Sequence, residues 1–148
     1  MPVARRSPIR IGQLEVTFLL DEHDTKDQAT VFEVAVPVGA KVPIAHSHDG
    51  FEETAYGLSG VFTFTIDGTK RELGPGEALF IPRGVVHQFE NLGDEHAVFL
   101  SVATPGVFRP AYFEEIAAVI SGAVGGPPDP AALVGVMRAH GLTPAPPR

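Results

Sequence analysis

The sequence predicts an all-β domain, a sandwich or barrel, finished by two short C-terminal α-helices. Three observations carry this. Short segments of alternating apolar and polar residues recur up to about residue 104, with turn signals roughly every eight to twelve residues. Asp67-Gly68 and Gly74-Pro75-Gly76 mark tight turns between such segments. After Thr104-Pro105-Gly106 the apolar period changes from that of a strand to that of a helix.

In Gln13–Phe18, the residues Leu14, Val16 and Phe18 alternate with Gln13, Glu15 and Thr17, which describes a half-buried strand. Val31–Val38 is almost continuously apolar and β-branched, so a strand buried on both faces is expected. In Val61–Ile66, Phe62, Phe64 and Ile66 share one face, Val61, Thr63 and Thr65 share the other, and Asp67-Gly68 then turns the chain. Ala78–Ile81, Val86–Glu90 and Ala97–Ala103 complete the strands. Within Tyr112–Ile120, Phe113, Ile116, Ala117 and Ile120 recur at helical spacing. Gly125-Gly126-Pro127-Pro128 is a stiff connector, and Asp129 then reads as an N-cap with Pro130 at the first helical position. Leu133, Val136, Met137 and His140 form the second stripe, Gly141 stops it, and the Pro-rich tail Thr143–Arg148 is expected to fray. Two helices this short cannot bury their stripes on each other alone. Residues 1–104 are therefore expected to form the barrel, and 105–148 a helical extension of the same domain packed on it.

A chain of 148 residues and 15.7 kDa provides one hydrophobic core. A net charge of −7 and a pI near 5.2 disfavour phosphate backbones, so no nucleic-acid partner is expected. The absence of cysteine excludes disulfides, thiolate metal sites, iron–sulfur clusters and cysteine nucleophiles. Behind the basic start only Phe18-Leu19-Leu20 forms an unbroken apolar run, too short for a leader or a span. No membrane association and a cytoplasmic location are the expectations. No Ser-His-Asp arrangement, phosphate loop or dinucleotide fingerprint is present.

Chemistry concentrates in the histidines. His46 and His48 lie two apart in a segment that should be extended, so their imidazoles share a face. Asp49-Gly50 suits a turn, and a returning strand would bring Glu52 or Glu53 back beside the pair. His87 follows in Pro82-Arg83-Gly84-Val85-Val86-His87. Such nitrogen and oxygen donors suit Fe, Mn, Ni, Co, Cu or Zn. The competing interpretation is that each histidine makes an ordinary hydrogen bond at the surface or in the core. His23 and His96 sit in charged or turn-like stretches, and His140 lies near a helix C-terminus, where the dipole accounts for it. Arg5, Arg6 and Arg10 read as a solvated arm, and Tyr56 as core or a neighbour of the site.

The segment Gly39-AKVPIA-His46-Ser47-His48-DGFE-Glu53-TAYGLS-Gly60 resembles the first cupin motif, G(X)5HXH(X)3–4E(X)6G, with one additional residue after Gly39. Gly76-EALFI-Pro82-Arg83-Gly84-VV-His87-QFE-Asn91 is similar to the second, G(X)5PXG(X)2H(X)3N, at every fixed position. The two motifs span a little over a third of the chain. This resemblance implies a small double-stranded β-helix, the jelly-roll barrel of the cupins. It places the family's metal set on His46, His48, Glu53 and His87, holding one divalent transition metal ion. Glu53 is preferred to Glu52 because only Glu53 also leaves six residues before Gly60. Gly60, Gly76 and Gly84 are assigned to turns, and Asn91 to backbone bonding.

Among cupins, the short single domain and the Gly-Pro-Pro-Asp connector look like the small quercetin-dioxygenase-like proteins. The implied activity is a metal-dependent dioxygenase acting on a small aromatic, polyhydroxylated or enolisable substrate, with Glu53 as both ligand and proton acceptor. The alternatives are a redox-neutral isomerase or lyase and a non-catalytic small-molecule binder, for instance of sugars. Phe62, Phe64, Phe89 and Phe99 are candidates for the barrel lining, with inter-sheet core as the competing role for Phe62 and Phe64. A homodimer is expected from the family's habit of pairing through sheet edges.

Overall fold

The computed structural model describes residues 2–146. The chain lays down β1 (Ile9–Ile11), β2 (Leu14–Leu20), β3 (Thr30–Val36), β4 (His46–His48), β5 (Glu52–Ser59), β6 (Phe62–Ile66), β7 (Thr69–Leu73), β8 (Ala78–Ile81), β9 (His87–Glu90) and β10 (Ala97–Thr104). Helices α1 (Pro110–Ser121) and α2 (Pro130–Ala139) follow, and then a last strand, β11 (Leu142–Pro144). One sheet has the order β1-β2-β3-β10-β5-β8 and the other β11-β4-β9-β6-β7. The two face each other as a jelly roll, with the core between them.

The alternation written into the strands decides which side chains enter that core. In β10, Ala97, Phe99, Ser101 and Ala103 point inward, and Val98, Leu100 and Val102 are half-buried on the outer face. Strand β3 does the same: Thr30, Phe32, Val34 and Val36 are buried, with half-buried residues between them. The expectation of a strand buried on both faces is corrected here. The second sheet covers only the inner face, while the outer face belongs to the sheet's exterior. At Gly60 the backbone takes φ +67°, and a Cβ there would lie 2.7 Å from Ala97, so both conformation and space require glycine.

Asp129 accepts a hydrogen bond from the Ala131 N–H at 3.1 Å, and Pro130 opens α2. Tyr112, Phe113 and Ile116 of α1 and Leu133 and Met137 of α2 are buried against the barrel. Phe113 meets Phe32 at 5.2 Å and Phe18 at 5.7 Å between ring centroids. The tail does not fray as the composition suggested. Leu142–Pro144 pairs antiparallel with β4, because the turn at Gly141 (φ +79°) redirects the chain along an open sheet edge. Pro147 and Arg148 lie outside the described residues. Arg6 is no free arm: its guanidinium pairs with Asp24 at 2.6 Å and bonds the Leu19 carbonyl at 3.1 Å. Tyr56 is exposed, since it lies on the outer face of β5. Among the described residues, no helix is long and apolar enough to cross a membrane.

Candidate metal centre

Strand period and sheet pairing build the site. The two-residue repeat puts His46 and His48 on the inner face of β4. Strand β9 runs beside it, with His46 opposite His87. The three rings have centroid separations of 5.1 Å (His46–His48), 4.8 Å (His46–His87) and 4.5 Å (His48–His87). One ring nitrogen from each lies within 4.8 Å of the others. The chain then turns through Asp49–Phe51 and crosses to the opposite sheet, where β5 directs Glu53 inward. Its Oε1 lies 3.9 Å from His48 Nε2 and 3.8 Å from His87 Nε2. The turn before His87 is tied to the same strand, because the Gly84 N–H donates to the His48 carbonyl at 2.7 Å.

Hydrogen bonds set the direction of the imidazoles. His46 Nδ1 lies 2.7 Å from the Ile44 carbonyl and His87 Nδ1 lies 3.0 Å from that of Val85. A carbonyl only accepts, so the neutral rings carry their proton on Nδ1 and leave the Nε2 lone pairs free. His48 stacks on Phe51 at 4.2 Å with 17° between planes. Both nitrogens of His48 are buried without a hydrogen-bond partner among the described residues, a costly arrangement for a polar ring. Glu53 Oε2 accepts from the Ser101 hydroxyl at 2.5 Å.

The electrostatics follow from burial. Desolvation pushes His46 down to about 3, aided by neighbouring His87 and opposed by the Ile44 carbonyl. Burial also pushes His48 down, with His46 and His87 adding to it, and lowers His87 against the pull of the Val85 carbonyl. Burial raises Glu53 to about 7, against the Ser101 hydrogen bond, which pulls it down. The His–Glu distances would admit ion pairs, but uncharged imidazoles facing a carboxyl protonated up to about pH 7 are contacts between neutral groups.

The four residues singled out by sequence thus meet at one place. Glu52 does not join them: it lies on the outer face of β5 and accepts from Arg83 Nε at 2.7 Å and Nη2 at 3.0 Å. Asn91 Nδ2 donates to the Val36 and Glu95 carbonyls, and its Oδ1 accepts from Gly93 N–H. His140 meets Glu115 at 2.6 Å, and His96 is exposed on a turn. Phe62 and Phe64 pack against Phe99 between the sheets. Sequence reasoning missed Ser101, although a polar residue at an inward position of an apolar strand was a usable signal. It also missed β11, whose pairing partner lies almost a hundred residues upstream.

Beside the cluster is a cavity of about 60 Å³. His46, Glu53 and His87 share its wall with Phe32, Phe89 and Phe99 of the barrel interior, Phe108 of the segment before α1, and Tyr112, Leu133 and Met137 of the helices. No lysine or arginine lines it among the described residues. Donor chemistry fits a divalent metal here: two Nε2 lone pairs aimed by backbone bonds, a third imidazole left unsatisfied, and one carboxylate oxygen, all buried. The set accepts several first-row ions and does not select one.

A family model described as the Cupin domain matches residues 32–103. The chain is 31% identical over 91 residues to quercetin 2,3-dioxygenase of Bacillus subtilis, covering 62% of this chain and 26% of that one. It spans between 26% and 58% of the length of the curated relatives it matches. Among solved structures, a protein described as a predicted oxalate decarboxylase from Thermotoga maritima superposes with a TM-score of 0.65 at 27% identity, over 70% of this chain and 99% of that one. The polyketide cyclase RemF from Streptomyces resistomycificus superposes with a TM-score of 0.57 at 32% identity, over 67% of this chain and 68% of that one.

Proposed function

The chain belongs to the cupin superfamily, and from that membership we propose a metal-dependent enzyme of dioxygenase type, acting on a small aromatic, polyhydroxylated or enolisable molecule held in the barrel cavity. One observation carries the reading: three imidazoles and a carboxyl raised to about 7 converge at one place, and two of those imidazoles and the carboxyl line the wall of an apolar cavity. No lysine or arginine lines the cavity among the described residues, so the bound ion would be the positive charge that a substrate oxygen meets there. The similarity to proteins named for quercetin dioxygenation and polyketide cyclisation is a second support.

His46, His48, His87 and Glu53 would hold the ion, which when bound supplies Lewis acidity and, for a redox-active metal, electron transfer at this spot. The remaining work falls to the chain. Carbonyls of Ile44 and Val85 fix two rings in the tautomer that presents Nε2 inward. Ser101 keeps Glu53 Oε2 occupied, which leaves Oε1 facing His48 and His87 as the oxygen that would hold the ion or take a proton from a substrate hydroxyl. Phe89, Phe99 and Phe108 offer ring faces and exclude water.

A redox-neutral lyase or isomerase would use the same groups, and the likeness to a protein described as a predicted oxalate decarboxylase favours it as the second reading. Oxygen uptake by the metal-loaded protein with flavonols, catechols and diketones separates the two. Uptake lost in His87→Ala supports the dioxygenase, and substrate turnover without uptake overturns it. Failure to retain any transition metal after reconstitution overturns both and leaves a binding module. A homodimer is part of the same proposal. Its support is the apolar outer face of the six-stranded sheet, where Tyr56, Leu58 and Phe80 are exposed on neighbouring strands.

A further inference from the structure

We infer that the C-terminal strand β11 is a positioning element of the metal centre, so that metal binding and docking of the C-terminal extension stabilise each other. The inference rests on the metal-site reading above and adds a part that neither sequence motif contains.

Strand β4 carries two of the three histidines, yet it is only three residues long. On one side it meets β9 through a single residue pair, His46 opposite His87. On the other side β11 pairs with all of it: Leu142 opposite His48, Thr143 opposite Ser47, Pro144 opposite His46. Hydrogen bonds bracket this ladder, from Asp49 N–H to the Gly141 carbonyl and from Ala145 N–H to the Ala45 carbonyl, each 2.8 Å. Bonded and non-bonded pairs alternate in an antiparallel ladder, so Thr143 and Ser47 form the central bonded pair. Leu142 and Pro144 then stand at non-bonded positions on the histidine side. That register explains how a proline is tolerated opposite His46, because no N–H is required there. Leu142 and His48 are both fully buried. The Thr143 hydroxyl adds a bond to Asp49 Oδ1 at 2.7 Å, next to His48 in the chain.

A second route joins the same parts. Phe51, stacked on His48, meets Phe108 at 4.8 Å, and Phe108 meets Phe113 of α1 at 4.8 Å. The extension therefore touches His48 both through the sheet and through an aromatic stack. A ligand-bearing strand with so little of its own sheet depends on β11 to hold two imidazoles at one separation. Linkage makes the dependence reciprocal: an ion that draws His46 and His48 together favours the docked extension by the same free energy.

Zinc affinity is measured by chelator competition and Co(II) geometry by its visible spectrum, on the full chain and on Thr143→Pro, Thr143→Val and Leu73→Ala. Thr143→Pro removes the central ladder N–H and should weaken zinc by about tenfold or more and alter the Co(II) spectrum. Thr143→Val keeps that N–H and should stay within about threefold of the unaltered chain. Leu73→Ala opens a cavity on β7 at the far edge of the same sheet, and should lose stability but keep its zinc affinity and spectrum. Hydrogen exchange on the unaltered protein needs no variant to fold: zinc should slow exchange in residues 130–145 as well as around His46–His48 and His87. Unchanged zinc affinity in Thr143→Pro, or protection that never reaches 142–145, overturns the inference while the metal site stands. An unaltered chain that binds no zinc or cobalt overturns the metal-site reading, and the inference with it.

Discussion

The number of protons released when metal binds tests the electrostatics of the site. A bound ion requires a deprotonated carboxylate and neutral imidazoles, so every proton the free site holds must leave. With Glu53 raised to about 7, its carboxyl is about 90% protonated at pH 6 and about 10% at pH 8. With His46 lowered to about 3 it has almost nothing to release at pH 6, and His48 and His87, also lowered, release less than ordinary imidazoles would. The structure therefore predicts release of about one proton per zinc at pH 6 from Glu53, with fewer than two in all, and nearly none at pH 8. Unperturbed groups, at 6.5 for histidine and 4.5 for glutamate, would behave differently. Three such imidazoles would be about three-quarters protonated at pH 6 and would release roughly two protons, the carboxylate almost none. Isothermal titration calorimetry in two buffers of different ionisation enthalpy counts the protons directly. In Glu53→Gln the count at pH 6 should fall towards zero. Release of two or more protons at pH 6 from the unaltered chain would refute the argument that burial, and not neighbouring charge, governs the cluster.

Other predictions follow from the same geometry. His87→Ala and Glu53→Gln should each lower metal content measured by elemental analysis while keeping the far-UV circular dichroism, whereas Glu52→Gln, on the outer face, should leave it unchanged. Asn91→Ala should cost about 1–3 kcal/mol in urea unfolding, because it takes the hydrogen-bond partner from the buried Val36 carbonyl and from the more exposed Glu95 carbonyl and Gly93 N–H. Metal-free protein should lose stability as pH falls from 6.5 towards 4.5. Histidines with depressed folded values contribute stability above 6.5 that is lost on acidification. Glu53 acts oppositely, its contribution being full below 4.5 and lost as pH rises through 7, but one carboxyl is outnumbered by three imidazoles. A urea midpoint higher at pH 5 than at pH 7 would contradict this. Phe80→Glu should convert the proposed dimer to monomer in sedimentation velocity without changing metal content.

Local pattern made much of the molecule legible. Alternation in Phe62–Ile66 assigned its faces correctly because one side of each strand meets the opposite sheet. Asp129-Pro130 announced α2 because capping is a local hydrogen bond. The residues alone left Glu52 and Glu53 open, and the motif spacing to Gly60 preferred Glu53; in the fold the two point to opposite faces, as adjacent strand residues must. Where the reading went wrong, the deciding partner was distant. Val31–Val38 looked buried on both sides because composition does not report which face a second sheet covers. The tail looked frayed because prolines disfavour regular structure locally, while the edge of β4 offered positions where a proline costs nothing.

The sequence by itself determined most of the strand periods, the turns and the two helices, all of them properties of neighbours along the chain, and its resemblance to the cupin motifs pointed to His46, His48, Glu53 and His87. Tertiary structure alone decided how those residues behave. It set how far they are desolvated, which of their lone pairs face inward, that Ser101 holds Glu53, and that β11 closes the sheet beside His46 and His48. These depend on contacts between segments up to about a hundred residues apart. Their energies come from the exclusion of water and from hydrogen bonds across sheets, and neither quantity exists until the chain has folded.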